Sequence, residues 1–123
     1  MNFLLIGHSN YGECLYNTVK FFKNYIPNVY YINDSNRVEN EFVNFLDANK
    51  EPLIIFTDLL GGSVNALAMK YLPVNSYKLI SGANVSMVLE CIFSEPSDDE
   101  TIRAIVEQAR AGLVYVNEMM KGL

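Results

Sequence analysis

Three short runs of unbroken apolar residues, separated by stretches with helical spacing, leave this chain very few folds. The runs are Phe3-Leu4-Leu5-Ile6, Val29-Tyr30-Tyr31-Ile32 and Leu53-Ile54-Ile55-Phe56. Each is too short for a helix and lacks the polar alternation of a half-solvated strand. Such runs mark strands covered on both faces, as in parallel sheets layered by helices. Between them, Tyr11 to Asn24 carries Leu15, Val19 and Phe22 at helical spacing, with Ile26 beyond. Arg37 to Ala48 carries Val38, Phe42, Phe45 and Leu46 on one stripe, after an Asn33-Asp34-Ser35-Asn36 turn rich in N-cap candidates.

The pattern continues to the end of the chain. Ser63 to Leu72 reads as a third helix, stopped by Pro73, and Tyr77 to Ile80 as a fourth strand. A helix over Val85 to Phe93 follows the turn Ser81-Gly82-Ala83-Asn84. Ser97 and Glu100 have capping-box spacing and open another helix toward Gly112. Leu113 to Asn117 is β-branched and follows a glycine, which predicts a short last strand.

Alternating strands and helices predict an α/β fold, a doubly wound and mostly parallel sheet with helices on both faces. With four parallel strands and right-handed crossovers, the expected order is 2-1-3-4. The winding then reverses between strands 1 and 3, and ligands in such sheets bind outside the carboxyl ends of those two strands. The loop after strand 1 carries His8, the only histidine, and the loop after strand 3 carries Asp58-Leu59-Leu60-Gly61-Gly62-Ser63.

Bulk properties narrow the function classes. The 123 residues are half apolar, enough for one domain spanning 1–123, with no linker or repeat. The net charge is −5 and the nine Lys and Arg are scattered. Nucleic acid and anionic membranes, which need a basic face, are poor partners for such a chain. Cys14 and Cys91 are read as small buried residues on helices, and one histidine without a cysteine pair argues against a metal site. No apolar run approaches the ~20 residues of a membrane span, and Asn2 to Ile6 reads as a strand rather than a signal peptide. The expected location is cytoplasmic.

An imidazole, which titrates near neutrality, is a competent nucleophile toward phosphorus at such pH. It needs one nitrogen exposed and unprotonated, and the other held as a donor. Asp58 is a suitable acceptor for that donor, although a carboxylate there could equally cap the turn. Gly61 and Gly62 would let an anion approach the backbone at a helix N-terminus, where Ser63 could cap the helix, bind a phosphoryl oxygen, or do both. No Walker loop and no acidic cluster for Mg²⁺ is present, which points to phosphoproteins as donor and acceptor and to no cofactor.

Three segments carry a family resemblance over nearly the whole chain. They are Ile6-Gly7-His8, Ile55-Phe56-Thr57-Asp58-Leu59-Leu60-Gly61-Gly62-Ser63 and Ser81-Gly82-Ala83-Asn84-Val85-Ser86-Met87-Val88-Leu89-Glu90. The chain resembles the IIA domain of the mannose/fructose/sorbose family of the bacterial sugar phosphotransferase system (PTS). The resemblance implies that His8 takes a phosphoryl group on Nε2 from the histidine phosphocarrier protein and passes it to a IIB component. That component feeds the membrane IIC/IID transporter. Asp58 would orient the ring, and Ser63 with nearby amides would receive the phosphate. The resemblance also implies a homodimer in which a last antiparallel edge strand, here Leu113 to Glu118 after a hinge at Gly112, crosses to the partner.

Ser9 stands where the family commonly has glycine, and Val64 and Ser86 stand where prolines are frequent. Ser9 is also similar to the phosphotransfer subunit of the dihydroxyacetone kinase system, which changes the recipient but not the chemistry. A receiver domain phosphorylated on Asp58 would need acidic residues after strand 1, where this chain has Gly7-His8-Ser9-Asn10. A non-catalytic dimeric regulatory module would not need His8. Tyr11, Leu59 and Leu60 are the apolar side chains nearest the site in sequence, and so are candidate docking contacts.

Overall fold

The computed structural model describes residues 1–50 and 52–122. In chain order its elements are β1 (Asn2–Gly7), α1 (Tyr11–Phe22), β2 (Val29–Asn33), α2 (Val38–Ala48), β3 (Leu53–Thr57) and α3 (Ser63–Tyr71). After a 3₁₀ turn at Leu72–Val74 come β4 (Lys78–Ser81), α4 (Val85–Ser94), α5 (Asp99–Ala111) and α6 (Val116–Lys121). The sheet has four strands in the order β2-β1-β3-β4, all parallel.

Alternation along the central strands splits the core in two. Phe3 and Leu5 of β1, with Ile54 and Phe56 of β3, face Leu15 and Val19 of α1 and Val88 and Cys91 of α4. Leu4, Ile6 and Ile55 face Phe42 and Leu46 of α2 and Val64 and Ala68 of α3. Helices therefore cover both faces, as the unbroken apolar runs require. The β1–β3 register pairs Ile6 with Thr57, so the residues that follow these strands emerge side by side.

Several local expectations are corrected. The α1 helix stops at Phe22, and Phe22 is exposed, as is Cys14. Cys91 is buried, and burial pushes its thiol up to about 11. Asp98, not Ser97, caps α5, its carboxylate accepting from the Thr101 N–H at 3.0 Å. Two adjacent side chains could each have served, and the helix begins one residue later than the Ser97–Glu100 box predicts. No side chain of the Asn33–Asn36 turn caps α2; Ser35 Oγ instead accepts from the Arg37 N–H just before that helix.

The largest correction is the C-terminus. The segment from Leu113 to Tyr115 is irregular, and Val116–Lys121 is helical. A strand needs a neighbouring edge to take its hydrogen bonds. Among the described residues no sheet edge does so, and β-propensity alone is too weak to form a strand. The Glu-Met-Met-Lys run at 118–121 favours a helix once pairing is absent.

Candidate active site

The site begins where β1 runs out. After Gly7 the chain leaves the sheet at His8 and turns through Ser9, whose φ of 53° lies in the left-handed region. The turn is held from two sides. The Tyr11 N–H donates to the His8 carbonyl at 3.1 Å, and the Asp34 N–H donates to the Ser9 carbonyl at 2.9 Å. A β-carbon in that region costs about 1–2 kcal/mol, partly offset by the greater freedom glycine has when unfolded. Ser9→Gly is therefore expected to raise stability by about 0.5–1 kcal/mol, read as a higher urea midpoint. A lower midpoint would mean the serine side chain stabilises the turn more than its backbone strains it.

Asp58 follows β3 and reaches across to β1. Its Oδ2 accepts from the His8 backbone N–H at 2.8 Å and from the ring Nδ1 at 3.0 Å. A carboxylate oxygen in that position makes Nδ1 the protonated nitrogen and leaves Nε2 with a lone pair, toward which the Ser63 hydroxyl can donate. The ring side chain is 40% exposed and the carboxylate 15%. Burial acts to raise the Asp58 carboxyl, but the hydrogen bonds from His8 and the charge of its ring outweigh it, and the net shift is downward from the ordinary 3.8. Its Oδ1 is buried without a hydrogen-bond partner among the described residues.

The loop from Leu59 to Gly62 brings α3 under the ring. Gly61 has φ of +85°, and the Gly62 N–H closes the turn onto the Leu59 carbonyl at 3.0 Å. A β-carbon on Gly62 would lie 2.6 Å from His8 Cε1, so the loop meets the ring at a distance only glycine allows. Ser63 Oγ stands 3.2 Å from Nε2. Ser63 is not a cap, because Gly62 occupies that place with no side-chain bond to the helix. Its hydroxyl is thus left facing the ring.

The Gly62 N–H is already used in closing the turn. The first amide to bond back within α3 is that of Ala66, onto the Gly62 carbonyl. The open donors are therefore the first-turn amides from Ser63 onward. The ring, its acid on Nδ1 and the helix start with Ser63 at Nε2 come together at this site. Gly62 contributes by its lack of a side chain rather than by its amide.

Behind the loop lies a buried pair that carries no obvious sequence motif. Thr57 and Asn65 are the buried polar residues among the described part of the chain. Thr57 Oγ1 donates to Asn65 Oδ1 at 2.6 Å, tying the end of β3 to the first turn of α3. Leaving either group unpaired in such a place costs about 1–3 kcal/mol, so the pair fixes Asp58 relative to Ser63. The available signal was a polar residue closing an otherwise apolar strand. Leu59 and Leu60 are exposed beside the site, whereas Tyr11 turns inward, its hydroxyl donating to the Ala83 carbonyl at 2.5 Å. Among the described residues, no group of three or more His, Cys, Asp and Glu is arranged to hold a metal ion.

Comparison with known proteins gives a consistent result. A family model described as "EIIA-man: PTS system fructose IIA component" matches residues 2–110. A PTS IIA protein associated with the fucose utilization operon of Streptococcus pneumoniae is 27% identical, with a TM-score of 0.81 over 97% of this chain and 95% of that one. The phosphotransferase system component EIIA from Streptococcus agalactiae is 19% identical, with a TM-score of 0.83 over 95% and 98% of the two chains. The mannose/sorbose-specific IIA subunit from Enterococcus faecalis is 16% identical, with a TM-score of 0.77 over 92% of each chain. No curated protein sequence matches significantly.

Proposed function

We propose, for a chain that belongs to the EIIA-man family of PTS IIA components, that its part in sugar phosphotransfer is to carry the phosphoryl group on His8 Nε2. The observation that supports this most directly is the engagement of Nδ1 by Asp58 while Nε2 faces Ser63 and the start of α3. The donor is the histidine phosphocarrier protein and the recipient a IIB component, which in turn serves the membrane IIC/IID transporter. No described helix is long and apolar enough to cross a membrane.

In the forward step the Nε2 lone pair attacks the phosphorus held on the donor's histidine. The N–P bond to the donor breaks as the new one forms, and the electron pair leaves with the donor nitrogen. Positive charge grows on the His8 ring and is met by the Asp58 carboxylate through Nδ1–H. Equatorial oxygens receive donors from Ser63 Oγ and the first-turn amides of α3, backed by the helix dipole. Transfer to the recipient reverses these roles. Leu59 and Leu60, exposed at the rim, offer an apolar contact to both protein partners.

Phosphorylation from labelled phosphoenolpyruvate with the general PTS proteins tests this reading. Label is expected on His8, stable to alkali and lost in acid. Alkali-labile label on Asp58, or normal labelling of a His8→Gln protein, would overturn it.

A homodimer is the second part of the proposal. Leu113 is 89% exposed, and Val114, Tyr115, Val116, Met119 and Met120 are also open to solvent in the isolated chain. Edge strand β4 has a partner on one side only. A second copy that pairs its tail with β4 would cover both. Light scattering should give twice the chain mass, falling to the monomer when residues after Gly112 are removed. A dimer that persists in the shortened chain would place the interface elsewhere.

A further inference from the structure

The structure assigns Tyr11 a role that its place in the sequence conceals: we propose that it is a positioning residue, walling the Asp58 carboxylate so that Asp58 holds the His8 ring in its transfer-competent form. This inference rests on the reading of His8 as the phosphoryl acceptor.

Tyr11 is the first residue of α1, and its backbone N–H is bonded to the His8 carbonyl. Its ring runs back over the end of β1 rather than outward. A β-carbon built on Gly7 would lie 2.5 Å from Tyr11 Cδ1, 2.8 Å from Asp58 Cγ and 2.9 Å from Asp58 Oδ2. The ring edge and the carboxylate therefore share the space above the Gly7 Cα. Asp58 Oδ2 is the oxygen that takes both His8 donors. The ring thus borders the atom on which orientation of the imidazole depends.

The hydroxyl anchors the ring in that place. It donates to the Ala83 carbonyl, and the Ala83 N–H donates to the Thr57 carbonyl at 3.0 Å. Tyr11 thus bridges the loop after β1 to the loop after β4, with Asp58 enclosed between them. Burial, with the Asp58 charge nearby adding to it, pushes the Tyr11 hydroxyl up to about 12, so it stays a neutral donor. An apolar wall on one side of a carboxylate excludes competing water and strengthens the bond to its ring partner. A tyrosine anchored in this way has no free polar end for a docking protein, which distinguishes it from Leu59 and Leu60.

Two readouts on the full chain test the assignment. Nitrogen NMR of the His8 imidazole reports which ring nitrogen carries the proton, and requires no phosphorylation. Phosphorylation rates with the general PTS proteins report transfer. Tyr11→Ala is expected to bring a substantial Nε2–H population into the neutral ring. It should also slow phosphorylation by about 10- to 100-fold, the scale on which loss of a supporting group acts. Tyr11→Phe keeps the wall and loses only the anchor, so both readouts should return most of the way to wild type. Tyr16→Ala removes another partly buried aromatic of the same helix, one that packs on Tyr31, and serves as a control for simple destabilisation.

A folded Tyr11→Ala protein with wild-type tautomer and rate would overturn the proposal. So would a Tyr16→Ala protein that reproduces both Tyr11→Ala effects. If the wild-type chain accepts no label, the transfer reading fails on its own, and the tautomer comparison still decides whether Tyr11 supports Asp58.

Discussion

Replacing Asp58 by asparagine should slow phosphorylation of His8 by about 10²- to 10⁴-fold while leaving the fold in place. In the native chain one carboxylate oxygen takes both the backbone N–H and the ring Nδ1–H of His8. An amide of the same shape can present either an oxygen or an NH₂ group to Nδ1, although the second also sets that group against the His8 backbone N–H. With the NH₂ group there, the ring proton moves to Nε2 and the nucleophilic lone pair is lost. With the oxygen there, the tautomer survives, but the positive charge that develops on the imidazole finds no anion. Label that does form should still map to His8, and a rate within threefold of wild type would remove Asp58 from the mechanism.

The same substitution should alter stability against pH. The Asp58 carboxyl is held below its ordinary 3.8 in the folded chain, so the native state favours the ionised form. Its contribution is complete above the unfolded value and is lost as pH falls through the lowered folded value. Asp58→Asn should flatten that part of the acid limb in urea melts repeated from neutral pH downward.

Gly62→Ala is the second large effect, and it should separate activity from folding. The backbone at Gly62 has φ −72° and ψ 162°, an extended geometry that alanine adopts without strain. The added methyl, however, would lie 2.6 Å from His8 Cε1 and 3.1 Å from the Leu59 carbonyl. The ring is the more mobile neighbour and must yield. A displacement near 1 Å at the reacting group costs about 10²-fold in rate. Thermal stability is expected to change little while phosphorylation falls by about that factor. Gly61 is the internal contrast. A β-carbon there meets nothing within 4 Å, but φ is +85°, so alanine should cost about 1 kcal/mol in stability and leave the ring undisturbed. Wild-type phosphorylation by the Gly62→Ala protein would show that the ring has room to retreat.

Most of the frame was readable before any coordinates. The unbroken runs at Phe3–Ile6 and Leu53–Phe56 could only be central strands, and handedness then set the 2-1-3-4 order and brought His8 to Asp58. What stayed hidden depended on tertiary neighbours. The bond from Tyr11 to Ala83 spans 72 positions, and helical spacing accounts for Tyr11 equally well as ordinary packing. Loss of the Gly62 amide to the Leu59 carbonyl depends on how tightly the turn closes, which Gly-Gly-Ser alone leaves open. Ser97 and Asp98 compete for one capping position on nearly equal terms, and geometry chose the second. The tail of the lone chain differs for a physical reason: Leu113 to Val116 has strand composition, but a strand exists only in the presence of something to pair with.

The His8 ring stands between the loops that follow β1 and β3, with its side chain 40% exposed. A single protruding nitrogen has room for one macromolecule at a time. On the proposed relay, donor and recipient would visit in turn, each competing with the other for the site. Turnover through such a shuttle should follow double-displacement kinetics, with parallel lines in reciprocal plots, and an excess of the unphosphorylated donor should slow the relay.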